Sequence, residues 1–308
     1  MGTPDFAVAS LKALHNSNHE IVGVVTTTDK KAGRGQKIRF SAVKDYALAN
    51  ELPLLQPEKL KDQTFINDLK ELNADLFAVV AFRMLPELVW SMPEKGTINL
   101  HGSLLPNYRG AAPLNWAIIN GEKESGATTF FIEKEIDTGK IIDHVKVEIG
   151  KNTTAGELHN ELMVSGADLL RNTVDQISEG TAKAIPQSEL LTDDHKDAPK
   201  IFKDTCKVDW TRNAQDVHNH IRGLSPYPAA WCTMKTDENE IGVKIYRSEL
   251  TESNLSPGQI NCNGKDVLEI GCSNGSIQVL ELQMAGKKKM DVKSFLNGVK
   301  IGPDYTFI

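Results

Sequence analysis

The sequence predicts an α/β protein in two parts: a Rossmann-like, mostly parallel sheet over residues 1–184 and a smaller β-barrel or sandwich over 208–308. Three observations carry this reading. In the first half, short β-branched apolar runs alternate with helical patterns, as in strands covered on both faces by helices. Near Ile185 the composition turns to Pro, Asp and Lys without periodicity, which marks residues 185–207 as a linker. Beyond it, one helical stretch gives way to short strand-like runs separated by turn residues.

The elements follow in order. The opening M-G-T-P-D-F-A reads as the turn and helix start that follow a first β-strand. No strand precedes it in this sequence, so a damaged or rearranged sheet edge is expected there, because ladder groups would be left unpaired. Helical patterns cover Phe6–His15, Ala42–Asn50, Phe65–Asn73 and Pro86–Ser91. Buried-strand runs cover Glu20–Thr27, Ala74–Ala81 and Thr97–Leu100. Thr128–Glu133 and Lys140–Glu148 read as two later strands. Thr154–Gly180 reads as a long helix, capped by Thr153 or Thr154 and stopped by Gly180. In the C-terminal part a helix is predicted over Ala214–Arg222, with strands over Ile241–Arg247, Asp266–Gly271 and Gly275–Leu282.

Composition narrows the function classes. The 308 residues are 40% hydrophobic and 25% charged, with a net charge of −6, so any polyanion site must be a local basic patch. The four cysteines form no C-x-x-C pair and no zinc-like spacing with histidine, which argues against a disulfide framework and a metal site. No apolar run reaches the roughly 20 residues of a membrane span, and no signal-peptide pattern opens the chain. A cytoplasmic monomer is the expectation.

Nucleophile and nucleotide motifs are missing: there is no G-x-S-x-G, and A-G-R-G-Q-K (32–37) fails both the dinucleotide fingerprint and the P-loop pattern. Three features remain. In T-I-N-L-H-G-S-L-L-P (97–106), Asn99 and His101 share one face of a strand by the period of two. They are either a satisfied core pair or an amide donor beside an imidazole, the groups that stabilise charge on a carbonyl oxygen. Asp137, in D-T-G-K-I-I, is either a hairpin-turn aspartate or a carboxylate that serves the histidine. The run D-K-K-A-G-R-G-Q-K-I-R (29–39) places Lys30, Lys31, Arg34, Lys37 and Arg39 on one loop. It is either a solvated face or a phosphate-contacting segment. A second basic cluster is Lys287, Lys288 and Lys289.

The stretch N-L-H-G-S-L-L-P-N-Y-R-G-A-A-P-L-N-W followed by D-T-G-K-I-I resembles the folate-dependent formyltransferases. That resemblance implies Asn99, His101 and Asp137 as the catalytic set. The G-T-P-D-F-A turn, the basic loop, and D-W-T, I-R-G-L-S-P-Y-P-A-A-W and A-G-K-K-K-M resemble the branch that acts on methionyl-tRNA. The resemblance covers nearly the whole chain. It implies transfer of a formyl group from 10-formyltetrahydrofolate to the amino group of initiator methionyl-tRNA, with no metal. It also implies an OB-like β-barrel at the C-terminus. Folate is expected against Phe82, Arg83, Met84, Leu85, Ser103, Leu104, Leu105, Pro106 and Thr138, and tRNA against the two basic clusters. Alternatives are a formyltransferase acting on an amino-sugar nucleotide, a formyltetrahydrofolate hydrolase, and a catalytically impaired folate- or tRNA-binding module.

Overall fold

The computed structural model describes residues 1–32, 37–236, 239–302 and 304–308, with the side chains of 31, 32 and 37 left aside. The chain forms two compact units. The first comprises Met1–Gly110, Gly126–Val147 and Asn160–Asp197; the second comprises Ala111–Ser125, Glu148–His159 and Ala198–Ile308.

In the first unit, β1 (Val24–Val25) runs parallel to β4 (Leu54–Leu55). β5 (Phe77–Val80) runs parallel to β6 (Thr97–His101), in register from Phe77↔Thr97 to Val80↔Leu100. β6 is antiparallel to β8 (Glu124–Phe131), and β9 (Ile141–Glu148) lies beside β8. The short strands β2 (Lys30–Ala32) and β3 (Lys37–Arg39) form a separate antiparallel hairpin, and β7 covers Arg109–Gly110.

The helices follow local signals. α1 is Asp5–His15, α2 Ala42–Ala49, α3 Gln63–Glu71 and α4 Glu87–Trp90. Ser41 caps α2 through the Lys44 N–H, and Asp62 caps α3 through the N–H groups of Thr64 and Phe65. α3 then buries Phe65, Ile66 and Leu69 in one cluster with Phe77 and Val79 of β5. Burying each such side chain contributes about 1.5–3 kcal/mol. α6 (Ala155–Glu179) opens on a reciprocal cap: the Thr154 N–H donates to Glu157 Oε2 at 2.8 Å, and the Glu157 N–H donates back to Thr154 Oγ1 at 3.3 Å.

In the first unit β1–β4 and β5–β6–β8–β9 form two separate ladders, so the rearrangement expected beside the opening turn falls between β1 and β5. Among the described residues, Met1 and Gly2 bridge the two. The Gly2 N–H donates to Val25 O at 3.0 Å, and the Val80 N–H donates to Met1 O at 2.9 Å. A Cβ on Gly2 would stand 2.5 Å from Ala7 Cβ and 2.8 Å from Val80 O, so only glycine fits this crossing. The run Glu20–Thr27, predicted as one strand, is accordingly cut to Val24–Val25, because only those residues find ladder partners on β4.

The second unit holds α5 (Pro113–Ile119), Ala198 of β10 (Asp197–Ala198), and α7 (Ala214–Gly223). It also holds β11 (Ala230–Lys235), β12 (Glu240–Thr251), β13 (Ile260–Cys262), β14 (Leu268–Gly271), β15 (Ser276–Met284), β16 (Met290–Asp291), α8 (Val292–Gly298) and β17 (Thr306–Phe307). The strand order is β13-β14-β15-β12-β11-β17, antiparallel throughout, with β16 on β15. Register slips around Arg247 bend the long β12–β15 pair, as bulges do. The Phe307 N–H then donates to Gly258 O at 3.0 Å, bringing the last strand back to the start of β13 and nearly closing a barrel. The core includes Val217 and Ile221 of α7, Cys232, Ile245, Ile277 and Phe307.

Two histidines of α7 are buried, and burial holds both below the ordinary imidazole range. The ring nitrogens of His218 sit 3.0 Å from Ser248 Oγ and 3.0 Å from Lys151 O, a pairing that suits the neutral ring. An unfolded chain binds more protons than this folded one between the lowered value and about 6.5. Stability of the second unit is therefore present above about pH 6.5 and is lost as pH falls below it. Urea midpoints followed by a second-unit tryptophan are expected to drop between pH 7.5 and 5.5. His218→Asn is expected to flatten that drop.

Candidate active site

β6 carries Asn99 and His101 on one face at its carboxyl end, where ligands bind in open α/β sheets. Asn99 lies between Val79 of β5 and Phe130 of β8. It is half-buried, and its side-chain amide has no hydrogen-bond partner among the described residues. His101 is 8% exposed. Its Nε2 lies 2.9 Å from the Tyr108 carbonyl, which only a protonated Nε2 can satisfy. Nδ1 is thereby presented to Asp137, whose Oδ2 is 3.8 Å away, at ion-pair range and too far for a hydrogen bond.

Asp137 is the turn residue the sequence suggested, and it also faces the histidine. Its φ is 56°, and Tyr108 has φ 61°; both are left-handed backbones that non-glycine residues rarely adopt. Such conformations persist only where surrounding structure holds them, and they cluster at functional sites. Hydrogen bonds hold the Asp137 turn. Asp137 Oδ2 accepts the Gly110 N–H at 3.1 Å. Gln187, 2% exposed, donates through Nε2 to the carbonyls of Asp137 (2.9 Å) and Gly139 (2.8 Å). Its Oε1 accepts Nε and Nη2 of Arg109 at 3.0 and 2.6 Å. Gly139 is packed so closely on the Phe131 carbonyl that no Cβ fits there.

Gln187 lay in the stretch expected as a linker and was missed, because one buried glutamine in an aperiodic segment carries no pattern. Gln187→Leu keeps the volume but leaves an arginine and two carbonyls unpaired. We expect kcat to fall about 10- to 100-fold through displacement of Asp137, with both KM values within a few-fold of wild type. A raised KM with intact kcat would make Gln187 only a structural brace.

Two loops leave the carboxyl ends of β5 and β6 side by side. On the first, Leu85 is buried, Phe82 partly so, and Met84 is 75% exposed. Arg83 donates to the carbonyls of Glu58 and Pro57, while its Nε is buried without a partner among the described residues. On the second, Ser103 is fully buried and its Oγ donates to Asn107 O at 2.7 Å, so it offers neither a nucleophile nor a free donor. Leu105 packs with Phe130 and Ile141, Pro106 is buried, and Leu104 is half-buried. Thr138 Oγ1 donates to Glu135 O at 3.0 Å. Of the expected folate-facing residues, Met84, Leu104 and Thr138 thus keep surface for a ligand, and the others shape the loops. Among the described residues no group of His, Cys, Asp or Glu could hold a metal ion, and no helix is long and apolar enough to cross a membrane.

The basic loop is a β-hairpin that pairs Lys30 with Arg39, both exposed. Arg34 lies outside the described residues, as do the side chains of Lys31 and Lys37. Both feet of the hairpin are tied to the buried Lys44, whose Nζ donates to Asp29 at 2.8 and 2.7 Å and lies 3.9 Å from the Phe40 ring centre. That hydrogen bond holds the Asp29 carboxyl below its ordinary range. In the second unit, Lys287 and Lys288 are exposed, but Lys289 is neutralised by Glu281 at 2.8 Å. A surface that sequence reading missed lies on the same unit. Trp231 carries the Nζ atoms of Lys203 and Lys207 at 5.6 and 5.9 Å from its ring, and Lys200 lies over the exposed Phe202. These lysines fall in the expected linker, and only folding brings them to the tryptophan.

Formyl transferase family models match residues 1–174 and, for the C-terminal domain, residues 200–300. A methionyl-tRNA formyltransferase of Bacteroides fragilis is 52% identical over 302 residues, covering 97% of this chain and 93% of that protein. The chain belongs to the methionyl-tRNA formyltransferase family. Another member, from Flavobacterium johnsoniae, is 51% identical over 301 residues, covering 97% and 95% of the two chains. The N-formyltransferase of Helicobacter canadensis, solved with folinic acid and dTDP-3-aminofucose, superposes with a TM-score of 0.66. At 22% identity over 90% of this chain and 96% of that one, it shows the shared fold. Formyltransferases use folate derivatives, and this methionyl-tRNA formyltransferase family member therefore has an enzyme's fold with the N-x-H and Asp137 groups assembled at one sheet end.

Proposed function

We propose that the chain transfers the formyl group of 10-formyltetrahydrofolate to the α-amino group of initiator methionyl-tRNA. The single observation that carries this is the convergence of an unpartnered Asn99 amide, a tautomer-fixed His101 and Asp137 at the carboxyl end of β6. The methionyl-tRNA formyltransferases that align over nearly the whole chain support the choice of acceptor.

The unprotonated amine, whose ordinary pKa is about 8, attacks the formyl carbon. The carbonyl oxygen becomes an oxyanion, and Asn99 Nδ2 donates to it. His101 is held by Tyr108 so that Nδ1 stands between that oxygen and Asp137. Asp137 takes the proton released by the attacking nitrogen, and the proton passes to N10 of the folate as the C–N10 bond breaks. No covalent enzyme intermediate is needed, in keeping with a Ser103 whose hydroxyl is already engaged. Met84, Leu104 and Thr138 face the folate, and its polar edge is read by loop backbone groups.

For the acceptor, the Lys30–Arg39 hairpin and Arg34 contact tRNA. Residues 208–308 form a barrel-like tRNA-binding domain, with Lys287 and Lys288 and the Trp231 surface as its contacts. Basic groups over an aromatic ring suit the backbone and unstacked bases of a single-stranded acceptor end. Lys203→Ala is expected to weaken tRNA binding and to reduce the salt slope of log K by about one. An unchanged slope would remove Lys203 from the interface.

The decisive experiment incubates the chain with methionyl-tRNA and 10-formyltetrahydrofolate and follows formylmethionyl-tRNA. Formation of that product at catalytic rate is expected. Formylation of an amino-sugar nucleotide instead, or release of formate without an acceptor, would overturn the assignment.

A further inference from the structure

Residues 185–197 have the composition of a linker, yet the fold lays them as a strap against the loops that support His101 and Asp137. At the start of the strap, Ile185 exchanges both main-chain hydrogen bonds with Ile141, at 2.9 and 2.8 Å. Gln187 then grips the Asp137 turn through the carbonyls of Asp137 and Gly139. Residues 188–195 are exposed. At the far end, Lys196 takes hold of the His101 loop at two points. Its N–H donates to Asn107 Oδ1 at 3.1 Å, and its carbonyl accepts the Tyr108 N–H. The two ends thus serve different catalytic groups: Gln187 holds the Asp137 turn, and Lys196 holds Tyr108, whose carbonyl lies 2.9 Å from His101 Nε2.

The Tyr108 end requires such a hold. Tyr108 is buried with φ 61°, a backbone that costs a non-glycine residue about 1–3 kcal/mol. Relaxation of that angle would swing the Tyr108 carbonyl away from Nε2, and the imidazole would then be free to exchange tautomers. Asn107 stands where it can prevent this. Its N–H donates to Leu104 O at 3.1 Å, and its carbonyl accepts Ser103 Oγ at 2.7 Å. Its main chain is therefore fixed within the loop, and its side chain fastens that loop to the strap.

We propose that residues 185–197 are a clamp on the catalytic pair, with Asn107 a positioning residue that acts through Lys196 and the Tyr108 carbonyl to keep the proton of His101 on Nε2. The proposal rests on the reading of Asn99, His101 and Asp137 as the formyl-transfer site. A plain spacer gives no reason for a glutamine at 2% exposure on one catalytic turn, or for both main-chain groups of Lys196 engaged on the other loop.

The test compares Asn107→Ala, Asn107→Asp and Lys196→Pro in the full chain. Asn107→Ala and Lys196→Pro remove opposite partners of one hydrogen bond. Each is expected to lower kcat about 10-fold, with both KM values close to wild type. The double variant is expected to be no slower than the slower single, because the same bond is lost. Asn107→Asp keeps an acceptor for the Lys196 N–H and is expected to recover most of the loss. The tautomer is read from the ring nitrogen shifts of His101 in chain labelled with nitrogen-15 histidine, at about pH 8.5, above the ordinary imidazole range, with His101→Gln as the assignment control. The two shifts are expected far apart in the wild type and drawn together in Asn107→Ala. Unchanged kcat or unchanged nitrogen shifts in Asn107→Ala would overturn the proposal. So would an Asn107→Asp variant as slow as Asn107→Ala. A wild-type chain that makes no formylmethionyl-tRNA would instead sink the acceptor assignment, and the nitrogen shifts would still decide the clamp.

Discussion

Replacing Asn99 by alanine is expected to lower kcat by about 100- to 1,000-fold, the usual cost of one oxyanion donor at roughly 2.7–4 kcal/mol. The effect should fall on kcat alone. Asn99 sits mid-strand between Val79 and Phe130, and its amide has no partner among the described residues, so its loss disturbs no network. The KM for the folate should stay within a few-fold of wild type, because the bond to oxygen strengthens only as charge develops. Steady-state kinetics with unchanged far-UV circular dichroism checks this. Turnover near wild type would mean that Asn99 is an ordinary core polar residue.

Asp137→Asn is expected to cost about 100- to 10,000-fold in kcat, the range for removing a positioned general base. The substitution keeps an oxygen for the Gly110 N–H, which Asp137 accepts at 3.1 Å, and it leaves the main-chain carbonyl held by Gln187. The fold and Tm should therefore change little. What disappears is the negative charge 3.8 Å from His101 Nδ1 and the ability to take a proton. The split between kinetics and stability separates this role from a structural one: the loss should fall on kcat, with Tm and both KM values close to wild type. Activity within a few-fold of wild type would return Asp137 to a turn residue.

Much of the first unit could be read without coordinates, since its helices and strands announce themselves by period and cap. The predicted Phe6–His15 and Ala42–Asn50 match helices at Asp5–His15 and Ala42–Ala49, and Thr97–Leu100 matches β6 to within a residue. The Thr154–Glu157 cap marks the start of α6 as the sequence suggested. Elsewhere the local signal was overruled. Glu20–Thr27 is as β-branched as any strand in the chain, yet only Val24 and Val25 pair, because a strand exists only where a neighbour supplies its ladder. In the second unit, β11 and α8 gave no distinct pattern, and they are ordered by packing around Phe295, Phe307 and Ile245.

The sequence by itself determined which side chains share a face, since the period of two commits Asn99 and His101 to one side of β6. It also determined that Asp137 turns the chain before β9. The tertiary structure alone decided that Asp137 stands opposite His101 and that Gln187 ties the turn to Arg109. It alone gathered Lys203 and Lys207 on Trp231. The division has one physical cause. Faces and caps are set by backbone geometry within a few residues and leave a periodic trace. Contacts between distant single residues depend on where the folded chain brings them, and no local repeat records that.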